Sequence, residues 1–380
     1  MAVTSTHSTN KMIRFRTEIV REYVRENLFS PYYGDDITAI IRNIYELKQG
    51  GEQINIPLVA KLSGAAKGTG TLVGNEEAID NYGFRVWLDW ARNAVTTNKA
   101  DQHKDSADVF GEAKPLLSDW GKELQRDELI LALHALPSTA APSGLGSANG
   151  QRVNGILYSA ASASEKNAWN AANVDRVQFG ASVSNYSGTH ATALGNVDAA
   201  ADKLTAAAVT LMKRRAKKAS PKIRPYKTKD GREYYVLFCG AYQFRDLKGD
   251  AVITAANREA RAREGDAIDD NPLFQDGDLL YDGVIVREVT EIDDLCTVTG
   301  AGAAGIDVTP SFLCGQMAAT LAWGQMPKPT ERKEDDYGFI KGSGVEMAYG
   351  VAKLAKIPAG GSALKDWGVY TGYFASVGDA

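Results

Sequence analysis

Cysteine is scarce: Cys239, Cys296 and Cys314 are the only three in 380 residues, widely spaced and set in apolar runs. That argues against a disulfide framework or a thiolate metal site, and predicts buried thiols in a reducing compartment. Histidine is scarcer than a metal centre needs. Of the four, His7 sits in a polar leading segment, His134 in a predicted helix, and His103 and His190 in predicted loops. None has a His or Cys partner at ligand spacing, and His103 among Asp101, Asp105 and Asp108 reads as a solvated charge cluster. No apolar run approaches the roughly 18 residues of a membrane span, and residues 1–11 lack a signal-peptide core. A net charge of -4 supplies no overall pull toward nucleic acid or an anionic membrane, so a nucleic-acid role would need a local basic patch. A phosphate-binding G-x-x-x-x-G-K-[ST] is absent. A calcium-loop start at Asp269 and Asn271 fails because Leu273 stands where an oxygen ligand is required. No catalytic, cofactor-binding or metal-ligating set is therefore assigned.

What is present is ordinary for a folded chain of two or three domains, with 44% hydrophobic and 24% charged residues. The strongest helical signal runs from Ser106 to Leu136. Phe110, Ala113, Leu117, Trp120, Leu124 and Leu131 recur at three- and four-residue steps on one stripe. From Pro115, tolerated in a first turn, to Leu136 this spine would run about 33 Å, and Pro137 stops it. Asp127 and His134 interrupt the stripe, which predicts one half packed on the chain's own sheet and the other near a surface or interface.

Residues 1–50 read as an arm: a polar lead, a short helix over Glu18–Phe29, and a second helix with Ile40, Ile41, Ile44 and Leu47 inward, closed by Gly50-Gly51. Residues 51–98 read as an extended hairpin. Ile54, Ile56 and Leu58 alternate with Asn55 and Pro57, a Gly-rich turn region follows, and Tyr82, Phe84, Val86, Leu88 and Trp90 alternate on the return. A two-stranded hairpin is marginal alone, so this one should lie on its own chain or a neighbour. Residues 99–137 hold the spine. Residues 138–310 open with a Ser/Ala/Gly/Asn-rich stretch to 196, predicted to be surface loops and short helices. Asn196 then caps an Ala-rich helix ending in a basic run, with nine Lys or Arg and no acid between Lys213 and Lys229. Lys213, Arg214, Arg215, Lys217 and Lys218 are either solvated cations at a helix end or a docking patch for an acidic surface or packaged nucleic acid. A strand over Tyr234–Cys239, a helix near Ala251–Arg263, an acidic belt and a strand over Val284–Val289 follow. Gly300, Gly302 and Gly305 match a dinucleotide fingerprint after a predicted strand at Leu295–Thr299, but Ile306–Pro310 opposes the helix that chemistry needs. In residues 311–380 a helix over Ser311–Trp323 and strands near Phe339–Ile340, Val345–Ala352 and Trp367–Phe374 are expected against the spine.

Several stretches in order resemble the major capsid proteins of tailed phages, the N-four-like capsid family with the Hong Kong 97 shell fold. They are ELKQGGEQINIPLVAKLSG (residues 46–64), TLVGNEEA (71–78), WLDWAR (87–92), LLSDW (116–120), KIRPY (222–226), YYVLF (234–238), YQFRDL (242–247), NPLF (271–274), YDGVIV (281–286), GQMAATLAWG (315–324), DYG (336–338) and DWGVY (366–370). The resemblance implies an α+β Hong Kong 97-like capsid fold with an N-arm, an extended hairpin loop, a peripheral domain on the spine helix and an axial domain. It implies no enzyme activity and no cofactor. Its implied role is a virion shell protein that self-assembles into hexamers and pentamers, is built in the host cytoplasm, encloses double-stranded DNA by non-specific proximity, and involves no membrane. Scaffold, portal and decoration proteins are the implied partners. With Met1 opening the chain, a separate scaffold rather than a cleaved leading segment is expected. Subunit contacts are expected from the hairpin arm at Ile54, Ile56, Pro57, Lys61, Gly70, Gly74, Glu76, Glu77, Trp87, Trp90 and Arg92. The alternatives are a bacterial compartment shell and, in another class, an oxidoreductase using the Gly300 loop.

Overall fold

The computed structural model describes residues 27–45, 52–62, 64–104, 109–228, 231–260, 274–275, 278–332, 336–358 and 363–379. The helix expected from Glu18 lies outside them up to residue 26, as do Glu46–Gly51, the Asp269 loop and most of NPLF. The chain forms two compact units, one of Met1–Asn27, Ala91–Leu124 and Pro327–Met347, the other of Leu28–Trp90, Gln125–Met326 and Ala348–Ala380.

The larger unit is built on a sheet whose central strands are Glu233–Cys239, Val308–Cys314 and Val369–Ala375. Val308–Cys314 is antiparallel to both neighbours, with Leu313 opposite Leu237 and Tyr370. Val284–Glu288 pairs parallel with Glu233–Cys239, and Val177–Phe179 parallel with Val369–Ala375. Every residue of Val308–Cys314 and of Val369–Ala375 is buried, so both sheet faces are covered. Strands covered on both faces read as continuous apolar runs without alternation. This is why Ser311–Trp323, expected as a helix, is two strands, Val308–Cys314 and Ala319–Glu331. The helix expected over Ile40–Ile44 is overturned as well: Ile41–Tyr45 is a strand pairing parallel with Ala319–Trp323.

The spine forms as Ala113–His134, with Pro115 in its first turn and a short 3-10 turn, Val109–Glu112, before it. Its second half, the one that Asp127 and His134 interrupt, is the more buried. Leu129, Ile130, Ala132, Leu133 and Ala135 are at most 2% exposed, whereas Leu116 in the first half is 47% exposed. The polar interruptions carry their own partners. Asp127 meets Arg126 at 2.9 Å, and Arg126 also reaches Glu291 at 3.1 Å. His134 stacks on Tyr158 with ring centroids 4.1 Å apart and contacts the Tyr373 hydroxyl at 3.3 Å. Glu128, also buried, accepts from Tyr349 Oη at 2.5 Å and pairs with Arg152.

Residues 138–196 are not the loose surface expected. The helix Ala163–Ala172 starts in a capping box, Ser162 with Glu165. Trp169, Val177, Phe179, Ala193, Leu194 and Val197 then form one apolar cluster with Val308, Tyr373 and Ala375. Asn196 caps the C-terminus of a short helix, His190–Gly195, while the Ala-rich helix begins at Ala206 on a Thr205 cap. Asp198 and Asp202 explain the delay, since their carboxylates accept from the backbone N–H groups of Asp198, Ala200 and Ala201 in the intervening turn. The hairpin turn at Asp282-Gly283, with φ of 47° and 67°, joins Asp278–Tyr281 to Val284–Glu288.

His190, placed by sequence in a loop, is 2% exposed, with Nε2 2.9 Å from Tyr158 Oη and no hydrogen-bond partner for Nδ1 among the described residues. Burial, aided by Lys166, pushes it down to about 4, and burial pushes His134 down as well, with Lys353 contributing. An imidazole whose folded value lies below its unfolded value stabilises the fold above the unfolded value, and that contribution disappears as pH falls toward the folded one. Stability should therefore fall between pH 6.5 and 4, with about 3 kcal/mol from His190. Denaturant unfolding across this range should show the slope, and His190→Asn should flatten it; an unchanged slope in that variant would refute the assignment.

In the smaller unit the strand segments 91–98, 327–331 and 340–347 lie close together: a Cβ on Gly342 would lie 3.2 Å from both Thr96 and Arg332, and one on Gly344 would approach Thr330 and Asn93. The helix Lys99–Lys104 follows the first of them, and Lys99 N donates to Phe339 O.

Candidate assembly surface

The hairpin's two strands are Gln53–Val59 and Asn81–Trp87, in register from Gln53 opposite Trp87 to Val59 opposite Asn81. Alternation sends Ile54, Ile56 and Leu58 to one face with Phe84 and Val86, all buried. They pack on Met317, Ala322, Ala352, Leu354 and Ala355 of the same chain. The stem thus supplies its own support, and its marginal stability no longer demands a neighbour. Asn154 fastens it: its Oδ1 accepts from Trp87 N, and its Nδ2 donates to Trp87 O and Val351 O.

Beyond the stem the chain changes character. The described residues from Lys61 to Ile79, with no strand or helix among them, are all exposed. Two contacts hold the limbs together, Ala60 N to Asp80 O and Gly64 N to the Glu77 carboxylate, and Asn75 N closes the turn on Leu72 O. Glu76 accepts from Gly74 N, and Gly74 has a φ of 79°, where its lack of a side chain matters. Five aliphatic side chains stand in the open: Val59, Leu62, Leu72, Val73 and Ile79, each 58% to 79% exposed. Clustered exposed apolar groups mark interaction surfaces in soluble proteins.

The expected contact residues divide accordingly. Ile54 and Ile56 are core anchors, and Trp87 is half-buried at the stem's end. Pro57 faces outward opposite Gly83. Lys61, Gly70, Gly74, Glu76 and Glu77 line the exposed loop, and Trp90 and Arg92 are exposed where the chain continues. The four aliphatics from Leu62 to Ile79 were missed, although an apolar residue inside a Gly-rich turn was the readable signal.

The basic run is dispersed by its own helix, Ala206–Lys218. Lys213 bonds Asp282 at 2.9 Å, Arg215 donates to Val174 O and lies over the Tyr370 ring, and Lys217 faces Glu233 at 3.9 Å. Arg214 and Lys218 remain exposed. Cations in the last turn complement the helix end.

Nothing catalytic gathers elsewhere among the described residues. No group of His, Cys, Asp and Glu is arranged to hold a metal, and no helix is long and apolar enough to cross a membrane. All three cysteines are free and buried. The Gly300 loop follows a helix, Glu291–Cys296, rather than the expected strand, and leads through an isolated bridge between Val298 and Val308 into the buried Val308–Cys314 strand. Its N–H groups are used internally, Gly300 N on Asp307 and Gly302 N on Ile306 O. Without a helix N-terminus facing a pyrophosphate, the dinucleotide reading fails.

The sequence profile of a family described as phage capsid protein matches residues 3–377. No curated protein matches. Among solved structures, the chain is similar to the capsid subunit of cyanophage Pam1, at 39% identity and a TM-score of 0.85 over 100% of both chains. It shares its fold with the capsid of Ralstonia phage GP4, at 16% identity and a TM-score of 0.71 over 100% of this chain and 99% of that one. The head protein of Helicobacter pylori bacteriophage KHP40 is similar at 14% identity and a TM-score of 0.63 over 97% and 96%. An α+β chain that matches the capsid profile from end to end, and a capsid subunit over its full length, belongs to the phage capsid protein family.

Proposed function

We propose that this chain is the major capsid protein of a tailed phage, assembling into the hexamers and pentamers of an icosahedral head around double-stranded DNA. The observation that carries the reading is the 39% identity to a capsid subunit across the whole of both chains. The exposed aliphatic loop agrees with it, because a subunit destined for a shell keeps apolar surface for its neighbours. The role is structural rather than catalytic: the work is done by buried contact area between copies. Assembly takes place in the host cytoplasm with a scaffold, the product resides in the virion, and portal and decoration proteins complete the head. DNA meets the inner surface by proximity, consistent with a net charge of -4.

Electron microscopy of the expressed chain, alone and with the scaffold encoded beside it, tests the reading. Closed shells are expected; a small monomer under every assembly condition would overturn it. Portal and terminase genes beside this one distinguish a phage from a compartment that encloses enzyme cargo.

A further inference from the structure

Asparagine followed directly by glycine occurs twice in the sequence, at Asn149-Gly150 and Asn154-Gly155. The dipeptide has a chemistry of its own, because glycine has no side chain to screen its backbone nitrogen or to restrict its approach to the asparagine side chain. The fold places the two copies in opposite surroundings. Asn154 is 6% exposed and its amide is held from both ends: Oδ1 accepts from Trp87 N at 2.8 Å, and Nδ2 donates to Trp87 O at 3.0 Å and to Val351 O at 3.2 Å. The residues after it are fixed as firmly. A Cβ on Gly155 would lie 2.5 Å from Leu136 O, and Leu136 and Ile156 exchange both backbone hydrogen bonds at 2.9 Å. Asn149, by contrast, is exposed, and its amide has no hydrogen-bond partner among the described residues. It lies in a turn over residues 143–151, where Gly144 and Gly146 have φ of 68° and 74° and Gly150 N makes a 3.2 Å bond to Ser147 O.

We infer that Asn149 is a site of spontaneous covalent modification, converting to aspartate and isoaspartate in the folded chain, while Asn154 is protected for as long as the hairpin stem stays docked. Gly150 N, its proton removed by hydroxide, attacks Asn149 Cγ. The N–Cγ bond forms, the Cγ–Nδ2 bond breaks, and Nδ2 takes a proton from water and leaves as ammonia, so that a cyclic imide remains. Water then opens the imide at either carbonyl carbon. One product is a normal aspartate; in the other the main chain runs through Cβ and Cγ, and the α-carboxylate becomes the side group. Water is the only co-reactant, and the net change is amide plus water to carboxylate plus ammonium. Asn154 must first break its hydrogen bonds to Trp87 and Val351, which slows it at least about a hundredfold relative to Asn149. The products arise beside the return limb of the hairpin. Gly146 N donates to the buried Asp89 carboxylate at 3.2 Å, a Cβ on Gly150 would overlap that carboxylate, and Gly150 O accepts from Arg152 Nη1 at 3.2 Å. A new negative charge one residue from the Gly150–Asp89 contact, and in the iso form an extra main-chain carbon before Gly150, both act against this packing. The turn therefore records the age of the folded chain, and the site belongs to the single subunit whether or not it assembles.

Trypsin separates the two sites, since cleavage after Arg126, Arg152 and Lys166 puts Asn149 in a peptide of residues 127–152 and Asn154 in one of residues 153–166. The purified full-length chain is held at mildly alkaline pH, folded and in parallel in concentrated urea, and both peptides are followed by mass spectrometry. In the folded chain the 127–152 peptide should gain the mass of NH exchanged for O, faster as pH rises, while the 153–166 peptide stays unchanged; in urea both should gain it at similar rates. Isoaspartyl methyltransferase should label the 127–152 peptide of the aged folded chain. Asn149→Gln, whose longer side chain disfavours the cyclic imide, should abolish both signals with an unchanged circular dichroism spectrum. Conversion of Asn154 as fast as Asn149 in the folded chain would overturn the assignment. So would a 127–152 peptide that gains mass in urea but not when folded, or a gain that persists in the Asn149→Gln chain.

Discussion

Replacing Lys353 with Met should destabilise the isolated subunit by about 3–5 kcal/mol, the cost of stranding a buried charge. Lys353 Nζ lies 3.0 Å from Asp366 Oδ2, with the two side chains 2% and 1% exposed. The ammonium stands 5.3 Å above the Trp169 ring and has no hydrogen-bond partner beyond the carboxylate among the described residues. Among the described residues, Asp366 accepts in addition only the long bonds from Trp169 Nε1, at 3.3 and 3.4 Å. Without the lysine, the carboxylate keeps its desolvation cost and loses its ion-pair partner. Asp366→Leu alone should cost a similar amount for the opposite reason. The double variant Lys353→Met with Asp366→Leu should recover most of the loss, because two apolar side chains need no partner. Equilibrium denaturation of the four proteins forms a double-mutant cycle; additive losses would show that the pair is not coupled.

That pair also shows where sequence reading stopped. Asp366 stood in a family-like motif, yet nothing in its spacing from Lys353 or Trp169 announces one buried cluster. Partners 13 and 197 positions away meet only through the fold. The hairpin was legible because one face is buried and one is not, which writes a period of two into Gln53–Val59. The spine was legible for the matching reason at a period of 3.6. Where both faces are covered, as in Val308–Cys314, the period vanishes and helix and strand read alike. The stretch from 138 to 196 was misread because small and polar residues do core work there. Asn173 accepts from Asp366 N and Gln178 donates to Gly180 O, so its polar groups are satisfied inside the core. The candidate assembly surface was half legible: the loop's Gly content predicted the excursion, while its open aliphatics stand out only once the stem is seen to pack on its own chain.

The largest functional effect should come from removing that excursion. Replacing residues Leu62 to Ile79 with an Asn-Gly turn joins the two stem limbs through a connection suited to a hairpin. Folding should survive: every described residue in the deleted stretch is exposed, and the apolar stem contacts with Met317, Ala322 and Leu354 remain. Closing a short loop costs less entropy than closing a long one, so stability should stay within about 1 kcal/mol of the parent or rise slightly. Shell formation should fall below detection by sedimentation and electron microscopy, because four of the five exposed aliphatics and both tip carboxylates leave together. The comparison separates two roles that the hairpin combines. If the variant unfolds, the loop holds the subunit together and the stem contacts have been overvalued. If it folds and still builds shells, the loop has no part in assembly, and the contact must be sought at Trp90 and Arg92, where exposed side chains survive the deletion. A folded monomer that remains a monomer is the outcome the burial pattern requires, since it divides the hairpin at Val59 into a half that serves its own chain and a half that is open to another.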